Sequence, residues 1–196
     1  SLDTTCKSKL ISDGYLTANC LNIATRTKDN IVADVIKAEE NKNTLFVFYR
    51  ISDSTAIVDA TFANPEYIQY RSGVDYTIDK IPLSNQTFAL KISTFITIPN
   101  SGLFNIELSK GYAASNLYID NILLGKQIPG GSGSSILTIN NVYISAGLHY
   151  FYLETTSDSP TKYASNAAGS FALTVSLYPS GGTKTSINTY ITTPYT

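Results

Sequence analysis

The 196-residue sequence has no methionine, no tryptophan, two cysteines and a single histidine, and each scarcity excludes something. With one imidazole and two thiols there are too few ligands for a structural zinc centre, which takes four cysteine or histidine donors. No GxSxG, HExxH or phosphate-loop pattern occurs, so the common hydrolytic and nucleotide-binding chemistries lack their residues. Lysine and arginine total 14 against 15 acids, with no run of like charge. That balance leaves no electrostatic footprint for nucleic acid. The longest apolar runs, LFVF at 45–48 and ILL at 122–124, fall far short of the ~20 residues that cross a bilayer. Neither nucleic acid nor membrane insertion is expected. The absence of methionine even at position 1 reads as a segment processed from a longer precursor.

What is abundant is β-forming. Hydrophobic residues make up 43% of the chain, with 14 tyrosines and 8 phenylalanines, ample to close a core. Short alternating runs recur every ten to fifteen residues between Gly, Pro, Asn and Ser, the rhythm of an antiparallel sandwich. TLFVFYR at 44–50 and AIVDATF at 56–62 read as the first strand pair. QTFALKISTFITI at 86–98 leads through Pro99-Asn100-Ser101-Gly102 into LFNIELS, where Phe104, Ile106 and Leu108 share one face. NLYIDNILLG at 116–125 reads as a hairpin about Asp120 and Asn121, residues that tolerate left-handed turns. SILTINNVYI at 135–144, LHYFYLE at 148–154 and FALTVSLY at 171–178 complete the set, the last with Phe171, Leu173, Val175 and Leu177 on one side. The one helix candidate is 29–42, which equally suits a strand with a charged turn. The expected fold is therefore all-β: an antiparallel β-sandwich of jelly-roll or lectin-like type, with long loops at one end.

The domain is expected to span residues 1–180. Its first 25 residues form an arm pinned by a Cys6–Cys20 disulfide, which suits an oxidising, secreted setting. Residues 181–196, rich in Thr and Ser, read as an exposed extension toward a stalk. Asn85-Gln86-Thr87 is a glycosylation sequon.

Catalytic candidates are thin. His149 lies mid-strand and reads as a packing or surface residue rather than a general base. The carboxylates Asp53, Asp59, Glu66, Asp75, Asp79, Glu107, Asp120, Glu154 and Asp158 are mostly isolated, and Glu39-Glu40 reads as solvated surface. No catalytic residue and no metal ligand is assigned. The loop with Asp158, Ser159 and Asn166 gathers oxygens of the kind calcium takes, and calcium is the only cofactor the sequence admits. Among the tyrosines, Tyr112, Tyr163 and Tyr178 lie near loops or strand ends, where a ring with a polar tip can stack on a sugar.

The stretch SGLFNIELSKGYAASNLYIDNILL at 101–124, followed by Ser145-Ala146-Gly147-Leu148-His149-Tyr150, resembles the lectin-like sandwich named after the anthrax protective antigen, which includes the yeast flocculins and GLEYA-type fungal adhesins. The resemblance spans roughly residues 60–178. It implies ligand-bearing loops at one end of the sandwich and a cell-surface glycan or cell-surface protein as partner. Sugar-binding members hold calcium with two adjacent aspartates before the LYID strand. Here that segment is Ser109-Lys110-Gly111-Tyr112-Ala113-Ala114-Ser115-Asn116, without an acid, which leaves open direct sugar contact through Tyr112 and Asn116 with Lys110 there, another ligand, or a spacer role; Asp158 and Asn166, on the loop before the last strand, complete the ligand candidates. The leading expectation is the ligand-binding domain of a secreted or cell-wall adhesin, not an enzyme. The alternative is a structural or assembly module of a surface layer, fibre or capsid, marked by exposed apolar edges. A polysaccharide-cleaving enzyme stands third and needs two acids facing each other ~5–10 Å apart.

Overall fold

A computed structural model describes residues 15–17, 43–51, 56–63, 65–77, 88–110, 114–127, 135–156 and 172–192. Cys6, Cys20, the sequon, the 29–42 segment and Phe171 lie outside them. Eleven strands run in chain order: β1 (Tyr15–Thr17), β2 (Thr44–Arg50), β3 (Pro65–Arg71), β4 (Tyr76–Thr77), β5 (Phe88–Ile98), β6 (Gly102–Lys110), β7 (Ser115–Ile119), β8 (Ile122–Gln127), β9 (Ser135–Ile144), β10 (Gly147–Thr156) and β11 (Ala172–Pro179). They form a seven-stranded sheet, β1-β3-β2-β5-β10-β7-β8, and a four-stranded sheet, β4-β11-β6-β9. Every pairing is antiparallel. The fold is an all-β antiparallel sandwich.

Alternation decides which side chains meet between the sheets. Phe46, Phe48, Leu90, Ile92, Phe151, Leu153 and Leu117 from the large sheet pack against Phe104, Ile106, Leu108, Leu173, Val175 and Leu177 from the small one, all buried. The inward faces read for β6 and for Leu173, Val175 and Leu177 are as expected. The large sheet is covered on its other face too, since Leu45, Val47, Tyr49 and Tyr152 are each no more than 3% exposed. A strand buried on both faces carries a continuous apolar run, which is why LFVF does not alternate.

Two local expectations need correction. AIVDATF is not the partner of β2: Asp59–Phe62 is a turn of 3-10 helix. The Val58 N–H donates to Thr61 Oγ1 at 2.9 Å and the Thr61 N–H to the Val58 carbonyl at 3.0 Å, so the threonine offers the backbone a local partner in place of a ladder. The strand beside β2 is instead β3, which begins at Pro65, a position where a missing N–H is tolerated. The turn packs Phe62 edge-on against Tyr49, 5.1 Å between centroids, covering the outer face of the large sheet.

The second correction concerns the tail. Through Thr192 the chain past Gly181 does not leave the domain. Ser186 pairs with Ser176 and Ile191 with Ile96, and Ile187 is fully buried. Asn188 Oδ1 accepts from the Val74 N–H at 2.9 Å, and a Cβ on Gly73, whose φ is +91°, would sit 2.8 Å from Asn188 Nδ2. The apolar residues Ile187, Tyr190 and Ile191 overrule the polar composition, because β2 leaves the far half of β5 unpaired and they fill that space.

Candidate functional site

Register, rather than any one residue, builds the candidate site. Arg50 faces Phe88, Ala89 faces Thr156, and Thr155 faces Ser115, which faces Gln127. In the other sheet Lys110 faces both Ser135 and Leu173, and Leu173 faces Tyr76. The short step from Lys110 to Ser115 joins the two sets. The connections β2–β3, β4–β5, β6–β7, β8–β9 and β10–β11 therefore all leave from one end of the sandwich. The opposite end is closed by tight turns: 99–101, Asp120-Asn121 and Ser145-Ala146.

Of the five ligand candidates, Lys110 and Asn116 stand at the loop end. Lys110 is the last residue of β6 and Asn116 the second of β7. Tyr112, Asp158 and Asn166 belong to the connections that start there, outside the described residues. The mount of the β6–β7 connection is rigid: Ser115 Oγ donates to Thr155 Oγ1 at 2.9 Å, the Ala114 N–H to Thr156 Oγ1 at 3.0 Å, and the Thr156 N–H to the Ala114 carbonyl at 3.1 Å. Ser115, Thr155 and Thr156 are buried, so every hydroxyl here needs its partner.

Asn116 also lies in a polar row that sequence reasoning missed. Lys91, Glu154, Asn116 and Lys126 are successive cross-strand neighbours on β5, β10, β7 and β8, on the outer face of the large sheet. Lys91 is committed within the protein, its Nζ 4.5 Å from the Phe62 ring centroid and 5.4 Å from that of Tyr49. Glu154 sits among phenols: burial first, then its negative charge, raises the pKa of Tyr49, Tyr118 and Tyr152 and keeps them protonated. Tyr118 and Tyr152 lie 5.5 Å apart. Alternation in LHYFYLE puts Glu154 on the tyrosine side, but which residue sits across from it depends on register.

At the tight-turn end, the Asp120-Asn121 hairpin has the expected geometry, with φ of 52° and 64°. Here too lies a shallow cleft between the edges of the two sheets, lined by Ile122, Val142, Tyr143, Asp120, Ser145 and His149 among others. His149 Nδ1 is 2.5 Å from Asp120 Oδ2. Its Nε2 is 2.7 Å from the Ser145 carbonyl and 3.3 Å from Ser145 Oγ. Acid, imidazole and hydroxyl have the composition of a nucleophilic triad but not its chemistry. The nearer group to Nε2 is an acceptor, which a proton on Nε2 satisfies, and a protonated Nε2 holds no lone pair to take the hydroxyl proton.

The residues do not fit the calcium that the resemblance implies. In segment 109–116 there is no carboxylate, and the described oxygens of Ala114 and Ser115 are engaged with β10. Among the described residues no group of three or more His, Cys, Asp or Glu could hold a metal ion.

No family model matches the sequence, and no curated protein matches it. Solved structures do match in shape. The PA14 domain of the MpAFP antifreeze protein superimposes with a TM-score of 0.60 at 13% identity, over 79% of this chain and 94% of that one. The PA14 sugar-binding domain from an RTX adhesin gives 0.56 at 10% identity, over 77% and 98%. The Epithelial Adhesin 9 A domain of Candida glabrata, solved in complex with Galb1-3GlcNAc, gives 0.52 at 9% identity, over 76% and 88%. Likeness at these identities shows the fold, and the fold is the PA14-type β-sandwich.

Proposed function

We propose that this chain is a glycan-binding adhesin domain that works at the cell surface and meets its saccharide at the loop end without the aspartate-held calcium. The observation that carries this reading is the convergence of five connections on one end of a two-sheet scaffold. Loops held by rigid strands are where such scaffolds place their ligands. The two structural neighbours named for sugar or solved with one support it. Lys110, Tyr112 and Asn116 supply a cation, an aromatic ring and an amide, which suit hydroxyl recognition and stacking on a sugar face. Asp158 and Asn166 contribute from the β10–β11 connection. A Cys6–Cys20 disulfide pinning the N-terminal arm is part of the same proposal, since it suits an extracellular location.

The test is a glycan array probed with the full chain, once with calcium and once with chelator. Chelator-resistant binding to a defined set, galactose-terminated probes among them, is the expected result. Binding that chelator abolishes would overturn the calcium-free mechanism, and no binding in either buffer would overturn the lectin reading. One observation favours an assembly role in that event: Ile122 and Leu123 on edge strand β8 and Ile136 and Tyr143 on edge strand β9 are 44–67% exposed. Sedimentation would then show self-association.

A further inference from the structure

We propose that His149 is a pH-gated clamp: as imidazolium it bridges the Asp120 carboxylate and the Ser145 carbonyl, holding the β7–β8 turn against the β9–β10 turn, and on losing its proton it releases Ser145. This device lies at the end of the sandwich opposite the proposed glycan site and does not rest on that reading.

The argument is one of donors and acceptors. A neutral imidazole has one N–H and one lone pair, whereas the imidazolium has two N–H donors. The oxygen nearest each ring nitrogen of His149 only accepts, Asp120 Oδ2 at 2.5 Å and the Ser145 carbonyl at 2.7 Å, while the Ser145 hydroxyl is farther from Nε2, at 3.3 Å. Deprotonated at Nε2, the ring would aim a lone pair at a carbonyl oxygen within hydrogen-bond distance, and that contact turns repulsive. Deprotonation at Nδ1 would aim it at a carboxylate, which is worse.

Asp120 is a fixed partner. Its Oδ1 accepts from the Tyr150 N–H at 2.9 Å, and its own N–H donates to the Tyr150 carbonyl at 2.8 Å. The side that yields is therefore the β9–β10 turn. There Gly147 has φ +115°, with nothing within 4 Å of where a Cβ would be, so the turn has room to move. The turn is also tethered by the Ala146 N–H, which donates to Ser101 Oγ at 2.6 Å. Releasing Ser145 loosens one wall of the cleft lined by Ile122, Val142 and Tyr143.

The groups facing the ring are Asp120 from the β7–β8 turn and Ser145 from the β9–β10 turn, with Tyr143 of β9 in the same cleft and Ile96 opposite it on β5. Among the described residues lining that cleft, Asp120 is the only other charged side chain. Burial alone would lower the imidazole pKa, but the hydrogen bonds to Asp120 and Ser145 and the carboxylate charge outweigh it, and the net direction is upward from 6.5. A raised folded-state pKa places the stabilisation fully below the unfolded value and removes it as pH rises through the folded value. The clamp is closed in acid and released in alkali.

His149 is the chain's only histidine, so one imidazole resonance reports it without assignment. In the full chain its NMR titration midpoint should lie above 6.5 and fall in Asp120→Asn, whose amide still offers an acceptor to Tyr150. The Tm gap between the wild type and His149→Gln should be about 2–4 °C or more in mild acid, the shift expected per kcal/mol for a chain of this size, and should close in alkali. A midpoint at or below 6.5, or a gap that does not change with pH, overturns the proposal.

Discussion

Ile106 and Leu173 are each no more than 1% exposed, one on either strand of a neighbouring pair in the small sheet. Changing either to Asp puts an unpaired charge into the core, a cost that exceeds the margin of most domains. Neither variant should give a cooperative urea transition, and a soluble, folded Ile106→Asp protein would refute the assignment of the inward faces. Asn121 makes a subtler case, because its φ of 64° lies where a β-branched side chain is penalised by roughly 1–2 kcal/mol. Asn121→Val should lose about that much stability by urea denaturation, whereas Asn121→Gly should be close to neutral. Asn116 belongs to the surface rather than the core. Asn116→Ala should leave the urea midpoint unchanged while weakening glycan binding, and unchanged binding would remove it from the proposed site.

Among the elements, the edge where β8 meets β9 shows how closely the sheets approach. A Cβ on Gly125 would lie 2.7 Å from Ile139 Cδ1 and 3.3 Å from Leu137 Cδ2. Gly125→Ala overpacks that edge and should destabilise by about 1–3 kcal/mol. Ile139→Val removes the nearest methyl group, so the two changes together should cost less than the sum of each. Strict additivity in the double-mutant cycle would show that the contact is not made. The turn Ile187–Tyr190 is a second telling element, since its Ile187 enters the core while Tyr190 stacks edge-on to Phe104 at 6.3 Å. Ile187→Ala should cost about 2–5 kcal/mol. A passive tail would show no change in the denaturation midpoint.

For the whole molecule, the two ends of the sandwich divide the work. Five connections leave one end, and tight turns close the other. Binding should therefore respond to changes at Lys110, Tyr112 or Asn116 and stay indifferent to changes at Asn121 or Gly125 that leave the fold intact. The pH dependence of stability should trace to the tight-turn end, where the imidazole sits.

How much of this was legible beforehand follows from the range of each interaction. Alternation is local and is dictated by the period of an extended chain, so the strands LFNIELS, SILTINNVYI and LTVSLY, the inward faces of the first and last, and the Asp120-Asn121 hairpin could be read from the sequence. So could the two-sheet, all-β class. The sequence was misleading where a distant partner overruled local composition. Thr61 bonded its own turn and took AIVDATF out of the sheet, while the free half of β5 drew in Ile187 and Ile191 from a segment that looked like a stalk. The polar row through Glu154 and Asn116, the gathering of loops at one end and the meeting of Asp120, Ser145 and His149 are set by cross-strand register. Register pairs residues tens of positions apart, and no local pattern encodes it. The sequence by itself determined which stretches are extended and, where they alternate, which face each side chain takes; only the tertiary structure decided which strands pair and which side chains meet, because pairing joins residues far apart in the chain.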